Sequence, residues 1–250
     1  QQGPDEGPQA RGVGAVEQGL ARAVKHIGGR REIRKRLQPT GQHGHRVVHA
    51  ADQQHPGDDQ VRHLRAALRK KPLTFIASTS EVYGKAKKFP FSEDDDLTIG
   101  ATKNLRWSYA SAKTLDEFLA LAYARETNLP VIIPRFFNTT GPRQTGRYGM
   151  VVPNFVQAAL EGRPLLVHGT GQQTRCFGHV HDVIEALMRL MAEPKALGQV
   201  FNVANDQEVS ILSLAQQIVA ATGSKSEIRL VPYDSVYPEG FEDMERRLPD

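Results

Sequence analysis

The chain has 250 residues, 39% of them hydrophobic, and a formal net charge of +4, which leaves room for one or two domains with a sizeable core. No apolar run approaches the roughly 18 residues of a membrane span, and the first 20 residues lack the charged-then-apolar order of a signal peptide, so a soluble, cytoplasmic protein with no membrane partner is expected. The single cysteine, Cys176, excludes an internal disulfide and a multi-cysteine zinc site, and reads as a small apolar filler.

Residues 1–72 carry 14 Lys/Arg against 7 Asp/Glu and six of the nine histidines, and the first aromatic residue is Phe75. Residues 73–250 carry 18 basic against 21 acidic side chains, so the basic excess belongs to the first segment alone. That segment lacks interleaved aromatics and a binding motif, which argues against a nucleic-acid partner. Residues 1–60 form an atypical basic stretch with neither strand alternation nor a helical period. It admits three readings: a disordered tail, a foreign or frame-disturbed stretch joined to a genuine domain, and an atypical fold.

From Val61, "VRHLRAALRKKP" predicts a helix that ends before a proline. After Pro72 strands and helices alternate: "LTFIAS" is a short apolar strand, "SYASAKTLDEFLALAYARET" a long helix and "LPVIIPRFFN" a second buried strand. Then "VPNFVQAALEG" reads as a helix closed by glycine, "PLLVHG" as a strand and "HVHDVIEALMRLMAEP" as a helix stopped by Pro194. "GQVFNVAN" is a further strand, and "SILSLAQQIVAATG" a helix from Ser210 to Gly223. Such alternation predicts an α/β protein with a parallel sheet.

Three constellations carry chemistry. In "YASAK", Tyr109 and Lys113 stand at i and i+4, on one helix face. A phenol of ordinary pKa about 10 is a poor base at neutral pH, but a nearby ammonium favours the phenolate. In "STSEVYG", Thr79, Ser80 and Glu81 follow an apolar strand, where open α/β sheets bind ligands. Taken alone, Tyr-x-x-x-Lys is a common helix-surface pair and "STSE" a common polar turn or cap. In the third group, Asn138, Arg175 and Arg247 supply the amide donor and guanidinium forks that suit a diphosphate. His179 and His181 lack a third ligand cluster and are read as structural, with no metal expected. For Trp107 two roles stay open, packing and lining a sugar site.

Taken together and in this chain order, the hydroxyl at a strand end, Tyr-x-x-x-Lys, "RFFNTTGPRQ", "GTGQQTRCFGHVHDV" and "FEDMERRLPD" resemble the extended short-chain dehydrogenase/reductases, the NAD-dependent nucleotide-sugar epimerases, dehydratases and decarboxylases. The resemblance covers roughly Leu73 to Asp250. It implies an incomplete Rossmann-like parallel sheet over 61–142 and 176–206, with a smaller C-terminal nucleotide-sugar-binding region over 143–175 and 207–250. It further implies NAD as cofactor, Thr79, Glu81, Tyr109 and Lys113 as catalytic residues, Tyr109 and Lys113 as contacts of the nicotinamide half, and Ser80, Asn138, Arg175 and Arg247 as substrate contacts. A homodimer through the helix bearing Tyr109 and its neighbour at 61–70 is the family's habit, and a weakened form of it is expected here.

If Tyr109 takes the proton of a sugar's C4 hydroxyl while hydride leaves C4, a 4-keto sugar results. Returning the hydride to the other face gives a 4-epimer. A C6 carboxylate β to the ketone can instead leave as carbon dioxide, and a C6 hydroxyl can leave as water once the C5 proton is removed. Glu81 is surplus to the first route and useful to the other two. Thr-Ser-Glu lacks the aspartate that dTDP-glucose-type dehydratases carry, and "RWSYASAK" with "GFEDMERR" is similar to UDP-glucuronate decarboxylases. The expectation is therefore UDP-glucuronate decarboxylation or UDP-sugar 4-epimerisation, with a 4,6-dehydratase as alternative. The family's glycine-rich dinucleotide turn has no good match: "GVGAVEQG" has Glu17 where the third glycine belongs. A truncated remnant that only binds nucleotide sugar is the alternative of another class.

Overall fold

The computed structural model describes residues 56–237 and 242–250. The atypical stretch to residue 55 lies outside the described residues, as does the candidate glycine turn at Gly12–Gly19. Two compact units account for the rest, one comprising residues 56–137 with 182–204 and 249–250, the other the described residues of 138–181 and 205–248.

The first unit holds the parallel sheet that the alternation predicts. Helix α1 (Pro56–Ala67) precedes β1 (Thr74–Phe75) and β2 (Ser78–Thr79), and the long helix α2 (Ser108–Thr127) then leads to β3 (Val131–Phe136). Strand β3 is central. β1 and β2 pair with one side of it and β7 (Gln199–Val203) with the other, all parallel.

The sequence suggests one strand where β1 and β2 stand, and Pro134 accounts for the break. Ile76 donates its backbone N–H to Ile132 at 3.0 Å, and the next rung of a parallel ladder would come from the N–H of residue 134, which a proline lacks. Pairing resumes at Ser78↔Arg135 and Thr79↔Phe136, so the ladder's last rungs fall on the candidate site.

Helix α2 occupies the residues its pattern predicts. It ends at Asn128, whose φ of 54° is the left-handed conformation common just past a helix end, and Pro130 follows. Its buried residues, Ala110, Lys113, Asp116, Glu117 and Ala120, include three ionisable side chains. Beneath it lies a core of Leu64, Ile76, Ala120, Leu129, Val131 and Ile133, and α1 packs against α2.

In the second unit, α3 (Val151–Leu160) and α5 (Ile211–Thr222) pack on each other and on β5 (Leu165–His168), burying Val152, Phe155, Val156, Leu165, Val167, Leu214 and Ile218. β5 pairs parallel with β9 (Ile228–Val231), while β4 (Asn138–Thr140), β6 (Thr174–His179) and β8 (Glu208–Ser210) form a separate three-stranded sheet. Between them in sequence, α4 (Val180–Ala192) follows β6. β6, β8 and β9 were not expected from the sequence. They are short, and β6, "TRCFGH", opens on polar and charged residues and carries no apolar alternation.

Candidate active site

Thr79 is the last residue of β2 and caps the short 3-10 turn Ser80–Tyr83, its hydroxyl accepting from the Glu81 N–H at 3.3 Å. The turn closes at Gly84, whose φ is 59° and where a Cβ would fall 2.2 Å from the Thr98 carbonyl oxygen. Only glycine meets both demands. Ser80 is buried. Tyr83 turns inward and stacks on Phe91 at 4.3 Å between ring centroids.

Glu81 has a partner that the sequence reading did not foresee. Arg106 Nη1 lies 2.8 Å from its Oε2, and both side chains are mostly enclosed. Arg106 sits on the 3-10 turn Leu105–Trp107 that runs into α2, and the Asn104 side chain caps that turn. Its guanidinium also lies 4.7 Å from the centroid of the Trp107 ring, within cation–π range. Trp107 itself is buried, and its indole edge rests where a Cβ on Gly100 would intrude at 2.1 Å. Of the two roles left open for Trp107, packing is the one observed.

Tyr109, in the first turn of α2, is half-exposed, whereas Lys113 is buried. The Lys113 ammonium reaches Asp116 Oδ2 at 3.3 Å. Burial pushes the Asp116 carboxyl up, and the nearby ammonium opposes that shift. Asp116 escaped the sequence reading although it lies at i+3 from Lys113, the spacing of an intrahelical pair.

One turn further, Glu117 is a hub. It accepts from Ser78 Oγ, from Arg135 Nε at 3.0 Å and from Arg135 Nη2 at 2.7 Å. Arg135 Nη1 continues to the Tyr83 hydroxyl at 2.9 Å, which donates to Asn202 Oδ1 at 2.8 Å. Burial raises the Tyr83 phenol's pKa, with Arg135 pulling the other way. The signal for this network was present: an arginine inside the apolar run "VIIPRFF" cannot remain buried without an opposite charge.

The structure thus brings Thr79, Ser80 and Glu81 together on a turn against which α2 packs, with Tyr109 and Lys113 on that helix. The diphosphate candidates belong to the other unit. Asn138 lies in β4, and its Oδ1, a hydrogen-bond acceptor, is buried without a hydrogen-bond partner among the described residues. Arg175 lies in β6, the strand that runs into α4. It is buried, and its Nη2 lies 3.0 Å from both carboxylate oxygens of Asp243. The segment carrying Arg247 runs beside β6: Thr174 donates its N–H to Glu245 at 2.9 Å, and Arg246 pairs with Glu208. Met244 is buried under it. His179 and His181 meet edge to face at 4.8 Å, and no metal-binding cluster is found among the described residues. No described helix is long and apolar enough to cross a membrane.

Comparison with known families places the chain among known proteins. The model of the NAD dependent epimerase/dehydratase family matches residues 42–204. The chain belongs to that family. Among its relatives, it is 51% identical over 188 residues to UDP-N-acetyl-alpha-D-glucosaminuronate decarboxylase of Bacillus cytotoxicus, covering 75% of this chain and 58% of that one. It is 36% identical over 187 residues to UDP-glucuronic acid decarboxylase 1 of Danio rerio, covering 75% and 43%. The crystal structure of dTDP-glucose 4,6-dehydratase from Bacillus anthracis in complex with NAD superposes with a TM-score of 0.64 at 27% identity, over 76% of this chain and 57% of that one. The chain therefore spans between about two fifths and three fifths of the length of these relatives. The Rossmann-like α/β class expected from the motifs is that of this family.

Proposed function

We propose that the chain carries the catalytic half of an NAD-dependent enzyme that decarboxylates a UDP-linked uronate. The observation that carries the reading is the turn Thr79–Glu81 packed against the helix of Tyr109 and Lys113, in a chain 51% identical over 188 residues to a uronate decarboxylase. Both decarboxylases above act, by their names, on sugars with a C6 carboxylate, and that shared chemistry defines the substrate class.

The residues present suit the nicotinamide half of the cofactor: a half-exposed phenol and a buried ammonium at i and i+4 at the start of α2. NAD, when bound, supplies the acceptor for the C4 hydride and so makes C4 a ketone β to the C6 carboxylate. Tyr109 takes the proton of the C4 hydroxyl. Thr79, fixed by its cap to the turn, hydrogen-bonds the C4 oxygen, and Lys113 holds the nicotinamide ribose. Glu81, ion-paired with Arg106, provides a fixed carboxylate near C5 and C6, which simple 4-epimerisation does not require. Ser80 contacts the sugar. Asn138 serves the diphosphate side through its Nδ2–H donors, and Arg247 and Arg175 add positive charge there, the latter shared with Asp243.

Replacement of Tyr109 by phenylalanine tests this reading. Turnover of UDP-glucuronate with NAD should fall by about 10²–10⁴, with the dissociation constant of the nucleotide sugar nearly unchanged. Retained turnover in Tyr109→Phe would remove the tyrosine from the chemistry and the reading with it.

A further inference from the structure

We propose that Arg106 is a specificity-determining residue that admits a sugar bearing a C6 carboxylate beside Glu81. The inference rests on the uronate reading above and adds a residue to it.

Three observations carry it. Glu81 and Arg106 form an ion pair at 2.8 Å with side-chain exposures of 20% and 13%, so the pair is largely withdrawn from water yet within reach of a small ligand. Glu81 is two residues from Thr79 on one tight turn, and Arg106 is three residues from Tyr109, on the turn that enters α2. The pair therefore bridges the two elements that carry the proposed C4 chemistry, and C6 of a hexose is only two bonds from C4. Finally, the guanidinium is held from two sides, by the Glu81 carboxylate and by the buried Trp107 ring that Gly100 makes room for.

The electrostatics follow from these positions. An ionised Glu81 alone would repel a uronate, because two carboxylates at close range in a poorly solvated site oppose each other strongly. The guanidinium cancels that charge, and with five N–H donors in a planar fork it can serve a second carboxylate while keeping the first. A neutral C6 hydroxymethyl group gains nothing from it. Arg106 thus separates uronates from neutral hexoses, and its pairing with Glu81 explains how an anionic side chain and an anionic substrate share one site.

Calorimetric titration of the NAD-supplemented chain with UDP-glucuronate and with UDP-glucose tests this without requiring turnover. The wild type should prefer UDP-glucuronate. In Arg106→Met the affinity for UDP-glucuronate should drop by about 30-fold or more, with UDP-glucose affinity, which also reports that the variant is folded, within about threefold. Arg106→Lys, which keeps the charge without the fork, should recover part of the preference. Glu81→Gln, which frees the guanidinium for the substrate, should strengthen it, and decides the matter if Arg106→Met fails to fold. Preference that survives in Arg106→Met, or is unmoved in Glu81→Gln, overturns the assignment and leaves the family reading standing. A wild-type chain that binds neither sugar overturns both together.

Discussion

Arg135 and Glu117 put opposite full charges inside the protein, at 4% and 5% exposure, and the paired geometry decides whether that is tolerable. Breaking such a pair from one side leaves an uncompensated buried charge, which costs about 3–5 kcal/mol. Glu117→Gln should therefore lower unfolding stability by about that amount in urea titration. A change within about 0.5 kcal/mol would mean that Arg135 finds another partner. Cys176 illustrates the opposite case, a group kept neutral by burial. Its thiol is pushed up to about 12 by desolvation, with Glu208 and Asp206 adding to the shift, whereas an unfolded thiol ionises near pH 9. Between those values the unfolded chain has released a proton that the folded chain retains, so stability is full below pH 9 and falls as pH rises towards 12. Tyr233, pushed to about 12 by burial and by Asp243, adds to the same slope. Chemical denaturation at pH 8 and pH 10.5 should show a loss that is smaller in Cys176→Ala. An equal loss in the variant would show that other groups carry the alkaline slope.

At the scale of elements, helix punctuation was the most legible feature of the sequence. Ser210 and Gly223, expected to bracket a helix, do so: Ser210 Oγ accepts from Ser213 N at 3.1 Å, and Gly223 takes a left-handed φ of 62°. Ser210→Ala should cost about 1 kcal/mol, readable as a shifted urea midpoint with an unchanged slope, and no shift would mean that the cap is redundant with packing. Strands were less legible, because the sequence carries periodicity but not pairing. Pro134 divides a run that looks continuous into β1 and β2, and that division is visible only once β3 is known to be its partner. The site divides in the same way. The placing of Thr79 at a strand end and of Tyr109 and Lys113 on one helix face could be read from spacing, since these are local properties, whereas their roles came only with the family resemblance. Arg106 and Asp116 are recognised only through the partners they reach, and Glu117–Arg135 only through a contact 18 residues apart.

Over the whole molecule, the catalytic candidates and the diphosphate candidates fall in different compact units. The chain belongs to the NAD dependent epimerase/dehydratase family. The uronate reading proposed above assigns the outcome of that family's chemistry to Glu81 and Arg106. The most direct test is mass spectrometry of UDP-glucuronate incubated with the chain and NAD. The account predicts loss of carbon dioxide from the substrate with the wild type, giving the UDP-pentose where the C4 hydride is returned and its 4-ketone, two hydrogens lighter, where it is not, and no such loss with Tyr109→Phe. Substrate recovered with its mass unchanged, whether intact or as its 4-epimer, would contradict it.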